Sequence, residues 1–113
     1  MAAEVRAVLK NTRISPQKAR PVADQIRGLA AEKALSLLLL SPKKAARILE
    51  KVLQSAIANA EQNNGLDVDN LVVSRVLVDA GTVMKRFRPK GMGRSRKRFH
   101  RSSHLTVAVR ERS

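Results

Sequence analysis

Eight of the sixteen residues from Arg86 to Arg101, RFRPKGMGRSRKRFHR, are Arg or Lys, and none is acidic. Side chains of this kind offer one chemistry, the recognition of a dense negative partner. Alone they offer only self-repulsion: two like charges about 4 Å apart cost roughly 1 kcal/mol in water, and more near a protein surface. His100, Ser102, Ser103 and His104 lie in or beside the same stretch, and such residues also serve in nucleophilic catalysis. No carboxylate stands within twenty residues upstream of His100, and Glu111 is poorly placed to orient a histidine. Neither a catalytic residue nor a metal ligand is expected there. Asp67 and Asp69 in GLDVDN read as turn formers rather than metal ligands.

The wider composition sharpens this. The chain has 113 residues, enough for one domain, and its 43% hydrophobic content allows a real core. Formal net charge is +14, which points to a polyanion, with nucleic acid first. There is no Cys, so disulfides and thiolate metal sites are excluded. The apolar run LSLLLLS is far too short to span a membrane, and MAAEVRAVLKNTR has neither a signal-peptide apolar block nor a transit composition. A soluble, non-exported protein without membrane contact is expected. Between Asp79 and Glu111 no acid occurs, while Lys85, Arg86, Arg88, Lys90, Arg94, Arg96, Lys97, Arg98 and Arg101 supply +9 of the +14. The chain thus reads as a moderately basic body, residues 1–82 and 102–113, carrying a very basic appendage, residues 83–101.

The elements that must position the appendage follow from periodicity. AEVRAVLK alternates over residues 3–10 and predicts a strand. Ser15-Pro16 predicts a helix start, and Gly28 its stop. Pro21 inside that segment predicts either a kink near Gln17 or a regular helix beginning only at Arg20. AAEKALSLLLL predicts a second helix. Ser41-Pro42 predicts the start of the longest helix, with Ala45, Ile48, Leu49, Val52, Leu53, Ala56, Ile57 and Ala60 as its buried stripe and Gly65 as its cap. Lys43, Arg47 and Lys51 share its outer face, which pattern alone leaves open between solvation and binding. From Leu71 the period becomes two, with Val72, Ser74, Val76 and Val78 on one side and Leu71, Val73, Arg75 and Leu77 on the other. LTVAV, residues 105–109, predicts the returning strand. The expected fold is α+β: three helices packed on a small three-stranded antiparallel sheet, with a long protruding β-hairpin.

Strand alternation puts Met84, Arg86, Arg88 and Lys90 on one side of the outgoing arm and Lys85, Phe87 and Pro89 on the other. On the returning arm Arg94, Arg96, Arg98 and His100 share a side opposite Ser95, Lys97, Phe99 and Arg101. Charge on both faces suits an arm enclosed by phosphates, where a surface strand would keep one apolar face. A disordered basic tail is the plainer alternative, but a tail has no need to return to a strand. Phe87 and Phe99 either stack on bases or pack on each other. A turn centred near Gly93 sets them directly opposite and favours the second.

Several blocks together carry a resemblance. NTRISPQKARPVADQIRG, SPKKAARILEKVLQSAIANAEQNNGLDVDNL, MKRFRPKGMGR and SSHLTVAV resemble, in order and over nearly the whole chain, the bacterial type of ribosomal large-subunit protein twenty-two. The resemblance implies a non-enzymatic constituent of the large subunit in the cytoplasm. Its implied partners are large-subunit ribosomal RNA, neighbouring ribosomal proteins and the nascent peptide; neither a cofactor nor a homo-oligomer is implied. It implies a role in subunit assembly and a hairpin tip, Arg88, Pro89, Lys90, Gly91, Met92, Gly93 and Arg94, that lines the peptide exit tunnel. Arm residues Lys85, Arg86, Arg96, Lys97, Arg98 and Arg101 are expected to bind RNA, together with Arg88, Lys90 and Arg94 and with Lys10, Arg13, Lys18, Lys43, Lys44 and Arg47 of the body. Two departures from the family pattern are Pro21 in the first helix and Ser95-Arg96 where an acid often follows the Gly-Arg pair. The competing class is a DNA-bending architectural protein with a β-arm; an RNA-modifying enzyme lacks a candidate site.

Arms that neutralise about eight phosphates should give a log K against log salt slope of roughly −6 to −7. Titration of the full-length protein with folded RNA at several salt concentrations checks this. A slope near −2 would mean that the arms hardly touch phosphate.

Overall fold

The computed structural model describes residues 4–81, 84–90, 94–100 and 102–111, with side chains for 4–81 and 102–111. In chain order these form β1 (Glu4–Thr12), α1 (Pro16–Ile26), α2 (Ala31–Leu40), α3 (Lys44–Asn64), a short 3₁₀ turn (Val68–Asn70), β2 (Leu71–Ala80), β3 (Met84–Lys90), β4 (Arg94–His100) and β5 (Ser103–Glu111). Three strands make an antiparallel sheet in the order β1-β5-β2, and β3 and β4 pair separately. The helices cover one face of the three-stranded sheet, α1 against β2 and α3 against β1 and β5, while α2 packs on α3. This is the expected α+β arrangement.

The core lies between those layers. Ala45, Leu49, Val52, Leu53, Ala56 and Ala60 of α3 are buried as the 3–4 spacing requires, and Ile48 and Ile57 flank them half-buried. Opposite them, Val73, Val76, Leu105, Val107 and Val109 are buried from the sheet. Gly65 ends α3 at φ 63°, a left-handed conformation that a β-carbon disfavours, and Leu66 donates its N–H to the Ala60 carbonyl.

Three expectations change. α1 is helical from Pro16, not Arg20, and continues through Pro21. Pro16 at the first position lacks only an N–H that has no intrahelical partner, whereas Pro21 removes one ladder bond. The long helix starts at Lys44 rather than after Ser41, because Ser41 is occupied as the C-cap of α2, donating its N–H to Leu38 O. Its hydroxyl then accepts from the Lys43 N–H at 3.4 Å. Finally, β2 does not keep a strict period of two. Leu71 and Val73 are buried, and so are Val76 and Val78. The register against β5 shifts between Val73 and Arg75, a β-bulge that places one extra residue on β2 and switches which parity faces the helices.

The bulge leaves β2 covered along its outer edge. Gly28 N–H donates to Val73 O and Val73 N–H to Leu29 O, both at 2.9 Å, while Arg27 Nε and Nη2 donate to Val76 O at 3.1 and 2.6 Å. Arg27 Nη1 also bonds Asp24 Oδ1. The first half of edge β2, from Val72 to Val76, is thus covered by the α1–α2 turn.

Leu53 is fully buried at the centre of the α3 stripe. Leu53→Ala should lower unfolding free energy by about 2–5 kcal/mol, the range for a Leu cavity, as measured by urea denaturation. A loss under about 1 kcal/mol would mean that α3 does not pack as described.

Candidate nucleic-acid interface

The basic appendage forms a two-stranded ribbon. β3 pairs β4 in the register Met84↔His100, Lys85↔Phe99, Arg86↔Arg98, Phe87↔Lys97, Arg88↔Arg96, Pro89↔Ser95 and Lys90↔Arg94. Directly paired positions share a face. One face therefore carries Arg86, Arg88, Lys90, Arg94, Arg96 and Arg98, whereas the other carries only Lys85 and Lys97 as cations, beside Phe87, Pro89, Ser95 and Phe99. Both faces are charged, but six to two. On the richer face three successive pairs, Arg86↔Arg98, Arg88↔Arg96 and Lys90↔Arg94, set cation opposite cation. Facing like charges each destabilise a ribbon by a few tenths to about 1 kcal/mol. Only an external anion relieves that arrangement.

Phe87 and Phe99 are not directly opposite. Each faces a lysine, Lys97 or Lys85, at diagonal positions on one face. The pairing is centred one residue earlier than Gly93, because Lys90↔Arg94 closes the ladder and leaves three residues for the turn. Those residues, Gly91, Met92 and Gly93, lie outside the described residues, as does Arg101.

Three chain segments meet where the ribbon leaves the body. Thr12 and Ala80 both pair with Ser103, and Gly81 N–H donates to Ser102 O at 2.8 Å. The buried Ser103 hydroxyl donates to Ile14 O at 2.6 Å. A β-carbon on Gly81 would stand 2.5 Å from Ser102 Oγ and 3.2 Å from the Ser102 carbonyl carbon, so the root accommodates only glycine without displacement. From Gly81↔Ser102 to Met84↔His100 the outgoing chain takes three steps and the returning chain two. The ribbon register is therefore offset by one residue from that of the sheet.

Of the body cations, Lys44 reaches the loop that precedes α1. Lys44 Nζ donates to Arg13 O at 3.1 Å, which draws the start of α3 to the loop that follows β1. Lys10 lies two residues before the end of β1, and Lys43 adjoins Lys44. Lys18 on α1 and Arg47 on α3 extend the basic surface, and all six are exposed. Neither α1 nor α3 has an acidic residue in its first turn. The positive N-terminal dipoles therefore add to these side chains where a carboxylate would offset them.

Two residues of the histidine–serine cluster, Ser103 and His104, make structural hydrogen bonds. His104 Nδ1 accepts the Asn11 N–H at 3.0 Å, where Asn11 sits at φ 56° in a register shift of β1, and Ser103 serves Ile14. Asp67 caps the 3₁₀ turn, accepting from Asp69 N–H and from Asn70 Nδ2, both at 3.1 Å, as a turn former does. Glu111 Oε1 accepts the Asp67 N–H at 2.9 Å. Among the described residues no helix is long and apolar enough to cross a membrane. Three arginines outside the expected binding set, Arg6, Arg75 and Arg110, stand exposed on the sheet face away from the helices. Their neighbourhood depends on cross-strand register, which the sequence does not display.

Compared with known protein families, residues 7–110 match the family model described as Ribosomal protein L22p/L17e. The match covers all three helices, the ribbon and most of the three-stranded sheet, from Ala7 of β1 to Arg110 of β5.

The facing cation pairs make a test of opposite signs. Arg88→Glu sets a carboxylate directly opposite Arg96 and turns one repulsion into an attraction. Amide exchange in β3 and β4 of the free protein should slow, while RNA affinity falls. Slower exchange with unchanged affinity would show that this face does not meet phosphate.

Proposed function

The chain belongs to the ribosomal protein L22p/L17e family, structural and non-enzymatic components that bind large-subunit ribosomal RNA, and from that premise we propose that its ribbon threads the RNA, supports subunit assembly and lines the nascent-peptide exit tunnel with its tip. One observation carries the reading: the register that stacks three like-charged pairs on a single face of a narrow ribbon. A ribbon so built is unfavourable in water and favourable among phosphates, where planar guanidinium forks make paired hydrogen bonds. The family match removes the DNA-bending alternative.

Roles divide along the length. The body cations Lys10, Arg13, Lys18, Lys43, Lys44 and Arg47 hold the body against RNA at the mouth of the channel. The arm residues Lys85, Arg86, Arg96, Lys97, Arg98 and Arg101 clamp the ribbon among phosphates inside it. The tip, Arg88 to Arg94, borders the path of the emerging peptide, where bulk and charge alter passage. Neighbouring ribosomal proteins meet the body, and the protein acts as a single copy within the particle.

Replacing Lys90 and Met92 together by Ala should leave subunit assembly nearly intact and shift ribosome pausing on a peptide that senses the tunnel. Replacing Arg96 and Arg98 by Gln should instead reduce incorporation into large subunits. Sedimentation profiles and pausing on one such peptide distinguish the two. Loss of particles with unchanged pausing in the double-Ala variant would refute the tunnel role and leave the ribbon as an RNA clamp.

A further inference from the structure

The sheet has a second face. The helices cover the side formed by Val5, Val73, Val76, Leu105, Val107 and Val109, and the opposite side is open. On that open side the pairing Arg6↔Ala108↔Arg75 forms one row across all three strands. Arg110 follows two residues along the central strand. At about 4.8 Å between strands and 3.3 Å per residue, Arg6 and Arg75 start about 10 Å apart, with Arg110 displaced about 7 Å along the strand between them. Ala108 is only 2% exposed although it stands outside the core cluster, so its cover comes from outer-face neighbours. A small residue flanked by two arginine stems is shielded in this way, with the charged heads left in solvent.

The charges of this face are not balanced. Among the described residues neither Arg6 nor Arg110 has a carboxylate within 4.0 Å, although Glu4 is the residue paired directly across from Arg110. The local carboxylate, Glu4, lies 3.9 Å from Arg75 Nε, and the Ser74 hydroxyl, placed there by the β2 bulge, lies 2.9 Å from its Oε2. Asp79 pairs with His104, four residues along β5 from Ala108, beyond the neutral row Val8↔Thr106↔Leu77. The arginine row is about 17 Å from Ser103 at the ribbon root, counted along β5. It therefore forms a patch distinct from the ribbon.

We propose that this outer sheet face, centred on Arg6, Arg75 and Arg110, is a second binding surface for the phosphate backbone of large-subunit ribosomal RNA. The proposal rests on the family reading that the chain binds this RNA, and goes beyond it in assigning a face. A nucleic-acid duplex presents about one charge per 1.7 Å of axis, so a patch about 10 Å wide meets several phosphates at once. The fork geometry of three guanidiniums suits them better than it suits water. Val8 and Leu77, each less than half exposed, are too few for the apolar centre of a stable protein interface.

The test uses the full-length protein and a transcript of the large-subunit RNA folded in magnesium. Circular dichroism checks that both variants fold, and retained ribbon footprints check it further for the sheet-face variant. R6Q/R75Q/R110Q should reduce the magnitude of the log K against log salt slope by about 2 and remove a set of hydroxyl-radical protections. A separate set should disappear in R86Q/R88Q/R96Q/R98Q. If the triple variant leaves slope and protections unchanged, the proposal is overturned. Reduced incorporation into particles with unchanged RNA binding would assign the face to a neighbouring protein and overturn it as well. If only the ribbon variant is silent, the ribbon reading fails while the sheet-face assignment stands.

Discussion

Like charges set directly across a two-stranded ribbon repel, and here three successive pairs do so with no acid on either strand. The rest of the structure answers that constraint. A two-stranded ribbon of this composition is marginal alone, and the body to which it connects supplies the folded core. The central strand β5 makes that connection. It runs between β1 and β2 and is buried at Leu105, Val107 and Val109, and its first residue fixes the root. Ribbon charge and body packing are therefore two parts of one design: the apolar sheet–helix interface supplies the stability that the cationic arm lacks.

The root shows how the two meet. Ser103 is the buried polar residue of the described core, and its hydroxyl answers the carbonyl of Ile14 immediately before α1. That bond ties the first loop to the start of β5. Lys44, bonded to Arg13 O, ties the same loop to α3. A buried hydroxyl without its partner costs about 1–3 kcal/mol, so the loop is held by an interaction that is unfavourable to leave unmade. Residues far apart in sequence, Arg13 and Ile14 near the start, Lys44 in the middle and Ser103 near the end, are thus tied together by hydrogen bonds.

Much of this was legible in the sequence, and the exceptions share a cause. Pro16, Gly28 and Gly65 marked helix ends because their effect is local, and the 3–4 spacing of α3 declared its buried face. Pro21 was read as either kinking the helix near Gln17 or delaying its start to Arg20; the late start does not occur, and one lost ladder bond is tolerated where Val22, Ala23 and Ile26 are buried on the same helix. The bulge at Ser74 was invisible, since alternation in LVVSRVLVDAG looks unbroken until β5 sets the register. The direct opposition expected of Phe87 and Phe99 does not occur for the same reason: the centre of a hairpin turn decides cross-strand neighbours, and glycines at 91 and 93 allow more than one centre. Arg6, Arg75 and Arg110 were passed over because a triad spread over three strands has no spacing to read.

The bulge also links the two surfaces. An extra residue at Ser74 switches the parity of β2, so that Arg75 joins the row of Arg6 and Ala108, and Val76 and Val78 turn to the core. Without it, continued alternation would aim Arg75 at the helices and Val76 at solvent. An unpaired guanidinium in that interface is costlier than an exposed valine, so the bulge is favoured by burial energetics before any ligand is considered. Its by-product is a cationic row on the open face of the same strands whose continuation forms the ribbon. With contacts at both ends of β5 about 17 Å apart, a bound RNA would fix the roll of the sheet as well as its position. On the proposed reading, that would in turn bear on which ribbon face meets RNA. A single basic arm on a freely turning body would leave the choice between the six-cation face and the phenylalanine face undetermined. Two RNA-bound surfaces, if both proposals hold, would remove that freedom, and the six-to-two asymmetry of the ribbon would then be useful rather than incidental.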